Sequence, residues 1–135
     1  MELTLEQKKN IMDFAPNFSE IAKKEQWISN YDTETDAIVI RTPRLAHDVE
    51  KKYINDEFAF YLNKNNEVKG IFIEYFMTNF ISHHKDVKDI KKEIEKEIKA
   101  EKQEESGLLR LEPKETKKII SELENVLIVS LWPKT

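Results

Sequence analysis

The sequence predicts an α+β fold: an antiparallel β-meander of about four strands flanked by helices, with a C-terminal helix and a C-terminal apolar strand. Two observations carry this expectation. Apolar residues recur with the helical period towards both ends of the chain and alternate with the strand period in its middle, and polar turn residues separate the alternating runs. The 135 residues are the length of one domain, and a hydrophobic share of 39% is enough for one core. A single domain over residues 1–135 follows, with helices over 1–25, the meander over 27–75, and a helical segment plus terminal strand over 80–135.

Thr4 followed by Gln7 spells a capping box, in which hydroxyl and amide reciprocally satisfy free backbone N–H groups. Leu5, Ile11, Met12 and Phe14 then supply the apolar stripe of a first helix, which Pro16 stops. Asn17 with Glu20 repeats the capping logic for a short second helix carrying Phe18, Ile21 and Ala22 to about Glu25. From Trp27 the period becomes two: Trp27, Ser29 and Tyr31 share one side, Ile28 and Asn30 the other. Ala37, Ile38, Val39 and Ile40 resume the alternation after the turn residues Asp32, Thr33, Glu34 and Thr35, so this is a hairpin, ended by Pro43. Residues 44–55 show no clean period. Phe58, Phe60 and Leu62, alternating with Ala59 and Tyr61, open a second hairpin; Asn63, Lys64, Asn65 and Asn66 turn it, and Val68, Ile71, Phe72, Ile73 and Tyr75 close it. Gly70 inside that last strand marks a bulge or a close neighbour.

Between Lys85 and Glu105, 15 of 21 residues are charged, yet Val87, Ile90, Ile94 and Ile98 recur at spacings of three and four and trace one narrow apolar seam. The seam faces the sheet, another helix of the chain, or a partner. Ser106 and Gly107 read as a helix stop. Pro113 suits the first turn of a further helix with Thr116, Ile119, Ile120 and Leu123 on one face, and residues 126–132 form a nearly unbroken apolar run, expected as a strand covered on both sides.

Composition bounds the function. The charged share of 36% exceeds the usual quarter, and acidic residues outnumber basic ones 26 to 22, for a net charge of −4. No overall positive excess is available to neutralise phosphates, which argues against nucleic acid as a partner. With no cysteine there are no disulfides, thiolate metal ligands or thiol nucleophiles, as suits a reducing compartment. The start is polar and no apolar run approaches the ~20 residues of a membrane span, so a cytoplasmic protein with no membrane partner is expected.

Two isolated glycines cannot build a Gly-rich phosphate cradle, no serine sits in a nucleophile-elbow context, and no cofactor is expected. His47, His83 and His84, with Asp48 and Asp86 beside them, make a metal site only if the fold joins the two segments; adjacent histidines on a helix point about 100° apart. The carboxylates Asp32, Glu34 and Asp36 do acid-base work if burial separates their pKa values, or simply flank a turn. Trp27 and Trp132 are core residues or interface anchors.

The stretch from Tyr31 through Asp32, Asp36 and the apolar residues to Ile40, followed by Asn65, Asn66, Val68, Gly70, Ile71, Phe72 and Ile73, resembles the small prokaryotic family known as domain of unknown function 2283. The resemblance covers residues 27–80. It departs from the family pattern at Asn66, where the family has a turn glycine, and at Phe72, where it has glutamate. It implies a compact antiparallel sheet with no assigned activity and, by analogy with some relatives, an antitoxin-like protein covering the basic site of a small ribonuclease. The leading expectation is therefore a non-enzymatic module that binds another protein or its own copy through Val87, Ile90, Ile94, Ile98 and Trp132. The alternative is a small ligand-binding domain or enzyme, its pocket between the sheet and the C-terminal helices, with polar contacts from Tyr31, Asp32, Asp36 and His47.

Overall fold

The computed structural model describes residues 3–54, 57–83, 88–100 and 108–131. The fold is α+β. Helices α1 (Leu5–Phe14) and α2 (Phe18–Glu25), joined by a 3-10 turn, lead into β1 (Ile28–Asp32) and β2 (Ala37–Arg41). Strands β3 (Glu50–Tyr53), β4 (Phe58–Leu62) and β5 (Val68–Ile73) follow, then a π-helical turn (Phe76–Phe80), α3 (Ile81–His83), α4 (Lys88–Ala100), β6 (Leu108–Arg110) and α5 (Pro113–Leu131). The strands form one antiparallel sheet in the order β3-β4-β5-β2-β1-β6.

The two expected hairpins form its centre, and two short edge strands raise the expected four to six. β3 lies in the stretch without a clean period, because an edge strand of four residues with two lysines needs no apolar face. The chain also crosses the whole sheet between β2 and β3, so β2 pairs with β5 and the second hairpin returns inwards from the far edge.

One face of the sheet is apolar. Tyr31, Ile38, Ile40, Phe58, Phe60, Leu62, Ile71 and Ile73 are all buried on it. A chain of aromatic rings, each centroid within 6.4 Å of the next, runs across this core from Trp27 through Phe14, Phe60, Phe58, Phe80 and Phe76 to Tyr31. Offset and edge-on pairs of this kind add to the gain from burial alone.

The capping box at Thr4 and Gln7 is present, with bonds of 3.1 and 3.0 Å. Gln7 also donates to the Asn66 side chain at 3.2 Å, and Asn10 to the Asn66 carbonyl at 2.7 Å, which ties α1 to the β4–β5 turn. There Asn66 occupies the left-handed region at φ 62, a conformation asparagine tolerates. Leu5, expected in the buried stripe, is 85% exposed, and Gln7 takes the inward place beside that turn. Nor does Asn17 cap α2: its amide turns back to the Asp13 carbonyl, and Glu124 of α5 accepts from the Ser19 N–H at 2.9 Å instead.

The terminal apolar run is helical rather than a strand. Ile119, Ile120, Leu123, Val126 and Leu127 are buried at helical spacing while Val129 is 67% exposed, so the run conceals an amphipathic helix whose outward side is also apolar. The C-terminal strand that joins the sheet is instead β6, paired with β1. Below α5, the buried hydroxyls of Ser29 and Thr116 share a 2.7 Å hydrogen bond between sheet and helix. Thr116→Val leaves Ser29 without that partner and is expected to cost about 1 kcal/mol, while Ser29→Ala combined with Thr116→Val lies closer to the parent; urea unfolding of the variants checks the cycle.

Candidate functional site

Tyr31 and Asp36 do meet. The Tyr31 hydroxyl donates to Asp36 Oδ1 at 2.6 Å. The same carboxylate accepts from the N–H of Met77 at 2.8 Å, the N–H of Thr78 at 3.0 Å and the Thr78 hydroxyl at 2.8 Å. Those four bonds fill the acceptor capacity of a carboxylate. Asp36 therefore serves as the cap of the π-helical turn after β5, and its own carbonyl accepts from the Phe76 N–H at 2.6 Å. Asp36 (φ 55) and Tyr75 (φ 48) are both left-handed, so the two chain reversals are locked against each other. Burial pushes the Asp36 carboxyl up, but the bonds from Tyr31, Met77 and Thr78 outweigh it and hold the group below its usual range. Burial, with the neighbouring Asp36 carboxylate, pushes the Tyr31 hydroxyl well up.

Asp32 is occupied within its own turn, accepting from the Glu34 N–H at 2.9 Å. His47 is exposed on the β2–β3 connection. Among the described residues no group of three or more histidine, aspartate or glutamate side chains can hold a metal ion; His84 and Asp86 fall outside them. In the charged helix, Ile90 and Ile94 are fully buried in the core and α4 packs against α5, which corrects their expected role in partner binding: the seam is spent internally. Val87, the Ile98 side chain and Trp132 lie outside the described residues. Trp27 is a core residue.

Two other surfaces emerge that the linear sequence does not display. The first is the sheet face opposite the helices. Register places two rows on it: Tyr53, Ala59, Phe72, Val39, Asn30 and Arg110 in one, and Lys51, Tyr61, Gly70, Arg41 and Ile28 in the other. The Lys51 ammonium sits 4.0 Å above the Phe72 ring, and Tyr53 packs edge-on against Phe72 at 6.4 Å. Tyr53 remains 42% exposed, and its hydroxyl is pushed up by burial and by Glu74. Gly70 confirms both expectations for it: the register slips opposite it at Tyr61 and Leu62, and the Tyr61 ring lies against it.

The second surface is a half-open groove of about 840 Å³ between α2, the start of α5 and the β1–β6 edge. Its walls are mostly apolar, with Trp27, Ile28, Leu111 and Ile120 among them. It is a pocket between sheet and C-terminal helix, as the alternative reading expects, but none of Tyr31, Asp32, Asp36 and His47 lines it.

No family model, curated protein or solved structure matches the chain. Its site is therefore defined by geometry alone.

Asp36→Asn keeps a residue that tolerates the left-handed region but loses the charge that its four donors face, at an expected cost of about 1–2 kcal/mol at neutral pH. Because the folded pKa of Asp36 is depressed, its contribution is complete above the ordinary aspartate range and disappears as pH falls through the folded value. Urea unfolding at neutral and acid pH should show the parent losing more stability than the variant. At Gly70 an added Cβ would lie 3.0 Å from Tyr61 Cδ2, 3.1 Å from Arg41 Cβ and 3.3 Å from the Ile40 carbonyl. Gly70→Ala is expected to cost about 1–2 kcal/mol, with part recovered when Tyr61→Ala is combined with it, as thermal melts would register.

Proposed function

We propose that the chain is a non-enzymatic interaction module that binds protein on the helix-free face of its sheet, beginning with a second copy of itself. One observation carries the reading. Tyr53, Tyr61, Phe72 and Val39 form a partly exposed apolar and aromatic patch at the centre of a sheet face to which no helix of the described residues contributes burial. Contiguous patches of this kind, rimmed by polar groups, mark protein contact sites.

The charges support self-recognition. Lys51, Arg41 and Arg110 on this face stand with Asp32 and Glu74, so a copy turned by a two-fold axis presents opposite signs to each. Two sheet faces also pack well across about 10 Å. Association through the edges is disfavoured, since β3 has four residues with two lysines and β6 only three. The best-formed carboxylate cluster, at Asp36, supports the non-enzymatic part of the reading because its acceptors are already taken.

Sedimentation equilibrium tests this. The solution mass should rise from 16.0 kDa towards twice that value as concentration goes from micromolar to near-millimolar. Val39→Arg and Tyr53→Ala should each abolish the rise while leaving the far-ultraviolet dichroism unchanged. A monomer at every concentration, or association indifferent to both substitutions, would sink the proposal.

A further inference from the structure

The groove beside α2 has a chemistry distinct from that of the sheet face. We propose that it binds an amphipathic anion, an aliphatic chain ending in a carboxylate. Its volume of about 840 Å³ lies within the range of small-molecule sites, and its lining is dominated by apolar area. Trp27, Leu111 and Ile120 are buried residues whose remaining surface faces the groove, so an aliphatic chain entering there displaces water from hydrocarbon rather than from polar groups.

Charge selects the head group. Lys23, Arg110 and Lys117 line the groove against a single carboxylate, Glu20. None of the three cations forms an ion pair among the described residues, whereas Lys69 is paired with Glu25 and Lys118 with Glu93. The basic excess at this one place runs against the chain's net charge of −4, and it matches an anion by complementarity. Lysine and arginine stems also lie readily along apolar surface with the charged head at the water boundary, which is where the ligand's carboxylate ends.

The probe is dodecanoate, titrated below its micellar concentration into the full chain by calorimetry, with dodecyltrimethylammonium as the cation of equal chain length. Dodecanoate should saturate at one per chain with a dissociation constant in the micromolar range, and the cation should bind at least tenfold more weakly. Lys23→Glu combined with Lys117→Glu should weaken dodecanoate at least tenfold and erase the preference for the anion, with an unchanged melting temperature showing that the fold persists. Val39→Arg on the sheet face should leave dodecanoate affinity as it is, which separates this site from the association surface. Absence of saturable dodecanoate binding, a stoichiometry well above one, equal binding of the cation, or full affinity in the charge-reversed variant would each overturn the proposal.

Discussion

The central constraint is that only one face of the sheet is apolar. Strand alternation sends Ile38, Ile40, Phe58, Phe60, Ile71 and Ile73 to the same side, and apolar surface on that scale must be removed from water. Helices from both ends of the chain are drawn to it, so α2 and the 3-10 turn come to lie against α5 although about a hundred residues separate them in sequence. Glu124 of α5 then supplies the cap that α2 lacks locally. The open sheet face and the groove at the sheet's edge are the two consequences: one is the side left uncovered, the other the gap where helices of different origin meet the last strand.

The polar ties settle how the chain enters and leaves this arrangement. Asp36 joins the β1–β2 turn to the reversal after β5, and Asn66 joins the β4–β5 turn to α1. Each is a residue in the left-handed region whose side chain or carbonyl also accepts bonds from a distant segment. A cluster of tyrosine, aspartate and threonine of this kind resembles acid-base machinery in composition. Its hydrogen bonds show otherwise: donors surround the carboxylate on both oxygens, and the charge is consumed in holding backbone N–H groups that would be unsatisfied at the start of a helical turn.

Much of the local structure was legible. The Thr4–Gln7 capping box, the break at Pro16, both hairpins and the special position of Gly70 all follow from interactions within a few residues, and such interactions leave their mark on neighbouring letters. The candidate surfaces were less so. Tyr31 and Asp36 were singled out and do meet, but their role depends on Met77 and Thr78, some forty residues away. Tyr53 drew no notice because β3 is an edge strand without periodicity, and it becomes part of a patch only through register with Ala59 and Phe72. Lys23, Arg110 and Lys117 are ordinary surface cations until three separate elements bring them to one groove.

By itself, the sequence determined the α+β class, the two central hairpins and the helical ends, because period, caps and turn residues act over short range. Tertiary structure alone decided the inward return of the second hairpin, the edge strands β3 and β6, and the helical state of the final apolar run. An apolar run is compatible with either a strand or a helix, and the choice falls to whatever surface it must cover. Here the sheet already had its strands, and what remained uncovered beside α2 was a face that a helix fills.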